Sequence, residues 1–200
     1  WDFDPARQIR FGTRGQYVEA FRHYFSQAVE RRLRAARSVA VSVSGGLDSS
    51  AIFCVAETLR RGHPTRFPDL HGVSYTFQDH TPLDEKAYLA EIERMYGVGI
   101  ERVPSSPPGL LDDCTEAAWH IEAPFLDAQW NNTHAFLRSV ERRGARVLLT
   151  GHWGDQFLFN QGYLMDLVAR GAWATIGGHL REYGRWHTDV PRHEFVKSFL

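Results

Sequence analysis

The amino-acid sequence predicts an α/β fold, a parallel sheet covered by helices on both faces, and three observations carry that prediction. Short apolar runs at residues 39–43, 72–77, 100–103 and 146–150 read as strands, and stretches with helical spacing of apolar residues lie between them. Helix start and stop signals bracket those stretches, so the strands are joined through helices and form parallel β-α-β units. Two of the strands run directly into turns of small residues that carry an acid, and a parallel sheet holds its ligands at such carboxyl ends.

Each element has its own signature. Thr13 and Gln16 make a capping-box pair, and Val18, Phe21, Phe25, Ala28 and Val29 share one helical face as far as Leu33. The strand of residues 39–43 follows, then a helix over 49–61 stopped by Gly62. After the strand of residues 72–77, Thr81-Pro82-Leu83-Asp84 reads as N-cap, proline at the first helical position and an acid at the third, opening a helix that ends at Gly97. The strand of residues 100–103 leads into a proline-rich surface loop at 104–109. A helix over 130–143, a stop at Gly144 and the strand of residues 146–150 complete the repeat. Trp119, Trp130, Trp173 and Trp186 fall at helical positions and read as core or rim. Arg31-Arg32 and Arg142-Arg143 read as solvated helix faces.

Composition bounds the function. The chain has 200 residues, 43% of them apolar, enough for one sizeable core. A net charge of −1 argues against a nucleic-acid groove or an anionic membrane surface, which call for a basic excess. No run of 18 apolar residues marks a transmembrane span. Cys54 and Cys114 stand apart without a C-x-x-C spacing, so they read as reduced thiols and the protein as cytoplasmic. His63, His71, His80, His179, His187 and His193 show no zinc-ligand spacing.

The turn after the first strand, Ser44-Gly45-Gly46-Leu47-Asp48-Ser49-Ser50, is built to hold a phosphate. Adjacent glycines let the main chain approach a ligand in conformations closed to other residues, with N–H groups turned inward. The following helix adds free N–H donors and the positive end of its dipole. Asp48 repels a bare phosphate but holds a Mg²⁺ that bridges two of them, and Ser44, Ser49 and Ser50 add short hydroxyl donors. A structural reading competes: an ordinary glycine-rich strand-to-helix turn with serine as the cap. No Lys follows the glycines in the G-x-x-x-x-G-K-[ST] pattern, and G-x-G-x-x-G is absent, which disfavours kinase-type transfer and a dinucleotide. The fourth strand runs into Thr150-Gly151-His152-Trp153-Gly154-Asp155-Gln156, and Glu122-Ala123-Pro124-Phe125-Leu126-Asp127 lies upstream of the preceding helix.

SGGLDSS resembles the PP-loop of ATP pyrophosphatases, which cleave ATP between the α and β phosphates. With the two later segments, the order is similar to the synthetase domain of the asparagine synthetase family, whose pattern is roughly E-x-P-F-x-D, a helix, then [ST]-G-x-G-x-D-E. The resemblance covers residues 39–163 and implies an adenine nucleotide alpha hydrolase-like fold that uses ATP and Mg²⁺. It implies a nucleotide site made of Ser42, Ser44, Gly45, Gly46, Leu47, Asp48, Ser49, Ser50, Tyr75, Thr150 and Gly151, with Ser42 and Tyr75 beside the adenine. Asp48 and Asp155 would hold the metal. The implied reaction joins a carboxylate, on a small molecule or a peptide, to ammonia from glutamine or to an internal amine. It passes through an acyl-adenylate and releases AMP and pyrophosphate. The resemblance also implies one synthetase domain over residues 1–200 of a longer chain. A glutamine-hydrolysing domain would precede it and phosphate-binding lysines would follow it. A homodimer is compatible with this reading.

Three positions depart from the family pattern. His152 and Gln156 stand where asparagine synthetases usually have Glu, and Trp153 replaces a Gly. Relatives that close β-lactam or lasso-peptide amide bonds also vary at the position of His152, where the family places a residue that handles the amine. A free imidazole, with a pKa of about 6.5, is mostly neutral at neutral pH and suits removal of the amine proton. Asparagine synthase (glutamine-hydrolysing)-like chemistry and peptide or β-lactam cyclisation are therefore the two enzymatic readings. A catalytically silent domain that binds nucleotide or a partner protein is the third, and the intact SGGLDSS with both acids counts against it. Structural readings remain for Asp155 as a helix cap and His152 as a surface histidine, while Glu122 and Asp127 read as supporting residues.

Overall fold

The computed structural model describes residues 9–77, 85–105, 114–122, 129–154 and 162–186. In chain order the elements among the described residues are α1 (Arg14–Arg32), β1 (Val39–Ser42), α2 (Leu47–Gly62), β2 (Leu70–Thr76), α3 (Lys86–Tyr96), β3 (Ile100–Pro104), α4 (Cys114–Ile121), α5 (Trp130–Arg142), β4 (Val147–Leu149), α6 (Gly162–Ala169) and α7 (Trp173–Trp186). The chain forms two units, Trp1–His152 and Trp153–Leu200.

The first unit is organised around β1, whose Val39, Ala40 and Val41 are wholly buried, as is Val43 just beyond it. The four strands run parallel in the order β3-β2-β1-β4, with Val39 opposite both Leu70 and Val147. Successive side chains leave a strand on opposite faces. Val41 and Val43 accordingly pack with Phe53 of α2 and Leu89 and Ile92 of α3, and Val39 joins Val29, Leu33, Ala56 and Phe67 under α1 and α2. Ala40 points the other way and packs with Val73, Phe136 and Val140 under α5. Helices thus cover both faces, the α/β arrangement the alternating pattern predicts.

Element ends follow the local chemistry. The capping box is made: the Gln16 N–H donates to Thr13 Oγ1 at 3.4 Å and the Thr13 N–H to Gln16 Oε1 at 3.1 Å. Gly97 and Gly144, at φ of 57° and 71°, end α3 and α5 in the left-handed conformation that glycine takes freely. Helix α2 starts at Leu47, two residues before the predicted Ser49, because Gly46 takes the N-cap with extended backbone and puts Leu47 and Asp48 on the first turn. Pro104 belongs to β3 and pairs with Thr76, not to the predicted loop; β3 is an edge strand, where a residue without an N–H is tolerated. Helix α3 begins at Lys86 with Glu85 as its N-cap, and the predicted Thr81 to Asp84 signal lies outside the described residues. The short helices α4 and α6 and the longer α7 are additional to the predicted elements.

Two packing expectations are corrected. The apolar face predicted along α1 is buried only at its C-terminal end, at Val29 and Leu33, while Val18 and Phe21 stay exposed and Phe21 stacks on Phe25 at 5.7 Å. Only the C-terminal part of α1 reaches the core cluster, through Phe25, Val29 and the following Leu33. Trp119 is 79% exposed and Trp173 66%, so neither is core, whereas Trp130 is half-buried beside His134. Cys54 and Cys114 are free and half-buried. No helix among the described residues is long and apolar enough to cross a membrane. In the second unit α6 and α7 are joined through Gly171 at φ 65°, and the Tyr163 ring meets His179 edge-on at 5.5 Å.

One buried charge ties α2 to α3. Glu57 is 1% exposed and accepts from Arg60 Nε at 2.8 Å and Arg61 Nε at 2.7 Å, while Arg61 also donates to the Tyr96 carbonyl. Burial alone would raise the Glu57 carboxyl, but the hydrogen bonds and charges of Arg60 and Arg61 outweigh it and hold it below its ordinary range. A depressed folded-state value contributes stability above the unfolded carboxylate range, and that contribution is lost as pH falls through the folded value. Glu57→Gln is expected to lower unfolding free energy at neutral pH by about 1–3 kcal/mol, the cost of weakening buried charge-assisted hydrogen bonds. Guanidinium titrations of the two proteins should converge as acid protonates Glu57.

Candidate nucleotide site

Chain order and strand order diverge at β1. The chain steps from β1 outward to β2 and β3, then returns to place β4 on the other side of β1. Parallel sheets open a crevice at the carboxyl ends of strands where the order reverses. The turn of residues 44–50 leaves β1 at that point, and the turn beginning at Thr150 leaves β4 beside it.

The contact that joins the two turns is at Gly151. A Cβ built there would stand 2.6 Å from the Ser49 backbone nitrogen, closer than real Cβ atoms approach, and 3.0 Å from Ser49 Cα. The exit of β4 therefore lies directly on the first turn of α2, and only glycine fits. Within the first turn, Gly45 sits at φ 104° and Gly46 is extended at the N-cap, with no side chain to satisfy the helix donors. The serines do part of that work. Ser44 Oγ accepts from the Gly46 N–H at 3.1 Å, the Ser44 N–H donates to Ser49 Oγ at 3.0 Å, and the two hydroxyl oxygens lie 3.0 Å apart. Ser49 is buried and donates back to the Gly46 carbonyl, whereas Ser50 Oγ is buried with no hydrogen-bond partner.

A cavity of about 120 Å³ opens beside this turn, between the ends of β1 and β2 and the start of α3. Ser42 and Tyr75, the two residues predicted to flank the base, both line it with Ser44. Its volume is well below the roughly 300–1,000 Å³ of whole-ligand pockets, room for only part of a ligand of that size. Burial raises the Tyr75 phenol above its ordinary range, and the hydroxyl donates to the Asn132 carbonyl at 3.4 Å, which ties the cavity wall to α5.

The other predicted residues are placed as follows. Asp48 is half-buried on the first turn of α2, and Leu47 beside it is 90% exposed. Thr150 and His152 are exposed on either side of Gly151. Trp153, the departure from a family glycine, has φ 68°, the left-handed backbone that glycine adopts without cost. Glu122 closes α4 with a similar φ of 56° and is exposed. Asp127, Asp155 and Gln156 lie outside the described residues. Sequence reasoning missed Ser74, Phe77, Glu85, Lys86 and Leu89 as cavity residues. None belongs to a motif: Ser74 lies on β2 and Phe77 just beyond it, and the docking of α3 brings Glu85, Lys86 and Leu89 to them.

The sequence model for asparagine synthase matches residues 20–193, which takes in both turns. The chain belongs to the asparagine synthase family. Amidase chyE of Penicillium rubens is 27% identical over 179 residues, 84% of this chain and 27% of that protein. Amidase chry2 of Gibberella zeae is 26% identical over 167 residues, 78% of this chain and 25% of that protein. The chain thus spans about a quarter of the length of these curated relatives.

The family uses ATP, and the turn fits a phosphate: glycines where a side chain would intrude, a helix start with no side-chain cap, and the unpartnered Ser50 hydroxyl. Among the described residues no three of His, Cys, Asp and Glu gather as a metal cage. Mg²⁺ asks for less, one or two carboxylates beside substrate phosphates and water, and Asp48 is the carboxylate on this turn that would hold it. The Gly151 contact is testable. Gly151→Ala is expected to destabilise the protein by about 1–3 kcal/mol through overpacking against α2. Gly99→Ala, where an added Cβ meets nothing within 4 Å, should change it by no more than about 0.5 kcal/mol in the same denaturant titration.

Proposed function

We propose that the protein forms an amide bond at the expense of ATP, through an acyl-adenylate, with release of AMP and pyrophosphate. The observation that carries this reading is the seat of Gly151 on the first turn of α2, which puts the β1 turn and the β4 turn at one switch point. Membership of the asparagine synthase family and the amide chemistry in the names of the two fungal relatives support it.

The steps follow from the residues. The base enters the cavity lined by Ser42 and Tyr75, and the phosphates lie along Ser44, Gly45, Gly46, Leu47, Ser49 and Ser50, with Thr150 and Gly151 on the opposite side. Asp48, joined by Asp155 on the family pattern, would hold Mg²⁺, which when bound neutralises charge on the phosphates. A carboxylate oxygen of the acyl substrate attacks the α-phosphorus, the bond from that phosphorus to the bridging oxygen breaks, and pyrophosphate leaves. The amine nitrogen then attacks the acyl carbon, the carbon to phosphate-oxygen bond breaks, and AMP leaves with its electron pair. His152, exposed beside Gly151, takes the proton the amine gives up.

Aspartate with ammonia from glutamine is the first substrate pair, as in an asparagine synthase (glutamine-hydrolysing)-like enzyme. The histidine at 152 favours a second reading, in which a tethered amine closes a ring. Reduced thiols at Cys54 and Cys114 agree with a cytoplasmic setting.

Products of the full-length protein distinguish this chemistry from other ATP-dependent ligation. Phosphorus NMR should record AMP and pyrophosphate with acyl substrate present, and ADP with orthophosphate would refute the reading. Asp48→Asn should lower pyrophosphate release by at least about 100-fold. Its melting temperature should stay within about 2 °C of wild type, because an acid on an open turn carries little packing. For His152→Ala, pyrophosphate release should persist while amide formation slows by about 10²–10⁴-fold, the usual cost of losing a general base. Equal loss in both steps would place His152 in nucleotide binding instead.

A further inference from the structure

The start of α3 lays a carboxylate against the glycine turn. Glu85 is half-buried at the N-cap of α3. A Cβ added at Gly45 would stand 2.7 Å from Glu85 Cβ and 3.3 Å from Glu85 Oε2, and one added at Gly46 would stand 3.8 Å from Oε1 and 3.9 Å from Oε2. Both carboxylate oxygens therefore lie beside the same two residues whose backbone is expected to meet phosphate. Glu85 also lines the cavity that Ser42 and Tyr75 share.

The backbone of Glu85 is held in place. Its carbonyl accepts from the Tyr88 N–H at 3.0 Å and the Leu89 N–H at 3.2 Å, and Leu89 is anchored in the core with Val41 and Phe53. Around the carboxylate the charges are mixed: Asp48 is a second acid on the first turn of α2, and Lys86 contributes a cation to the cavity wall. A glycine turn followed by a helix start favours an anion, and an internal carboxylate beside it competes for that place with any phosphate that brings no positive charge of its own.

We propose that Glu85 is a specificity-determining residue of the nucleotide site, which admits ATP complexed with a divalent cation and rejects the metal-free nucleotide. The assignment rests on the nucleotide reading given above. Two like charges a few ångströms apart in a half-buried setting repel strongly enough to change affinity by about tenfold or more. Discrimination follows because a cation removes the repulsion for the complexed nucleotide and leaves it for the bare one.

Glu85→Gln tests this without changing size, since the amide keeps the packing against Gly45 and loses the charge. Calorimetric titration of the full-length protein with ATP, once in excess EDTA and once in Mg²⁺, gives the two affinities. Wild type should bind metal-free ATP at least about tenfold more weakly than the Mg²⁺ complex. E85Q should bind metal-free ATP about tenfold more tightly than wild type does. It should change affinity for the Mg²⁺ complex by less than about threefold and keep its melting temperature within about 2 °C. Unchanged or weaker binding of metal-free ATP by E85Q, with wild type still binding the Mg²⁺ complex, overturns the role of Glu85 alone. A joint fall in both affinities and in melting temperature makes Glu85 a packing residue and overturns it too. Wild type that binds neither form refutes the nucleotide reading, and the Glu85 assignment falls with it.

Discussion

The arrangement of the first unit depends on a missing side chain. With Gly151 seated on the backbone of Ser49, the end of β4 and the start of α2 approach as closely as two main chains can. Any Cβ at that position would push them apart and widen the crevice at the strand ends. The contact also brings together two short turns separated by about a hundred residues. Each leaves an adjacent parallel strand, and β1 lies between β2 and β4 with its register fixed on both sides.

That placement is held from below by burial and from the side by charge. Val39, Ala40, Val41 and Val43 are fully enclosed, so β1 cannot slide by one residue without exchanging its α2 and α5 faces. Glu57 and its two arginines brace the last turns of α2 and reach the end of α3 through Tyr96. Helix α3 in turn delivers Glu85 to the glycine turn. The path from a buried ion pair to the cavity wall is therefore a chain of direct contacts.

The departures from the family pattern acquire different meanings in three dimensions. Trp153 stands at φ 68°, a left-handed backbone that glycine adopts without cost, so a bulky side chain is carried where the main chain favours none. His152 is exposed next to the contact glycine. Both residues lie on the turn that leaves β4, within the stretch that the asparagine synthase sequence model matches.

The sequence by itself determined the four strands, the helices α1, α2, α3 and α5, and the position of the two turns. Periodicity of apolar residues marks the four strands, Gly97 and Gly144 mark helix ends because left-handed backbone favours glycine, and Ser44 to Ser50 names its chemistry through residue types at adjacent positions. These are local properties, set by a few neighbouring residues. Strand order, the Gly151 contact, the uncovered stretch of α1 at Val18 and Phe21, and the arrival of Glu85 beside Gly45 are decided only in the tertiary structure. Each depends on which surfaces meet across long separations in the chain. No window of sequence carries that information, because a glutamate at a helix start has the same local signature whether it faces water or a phosphate turn.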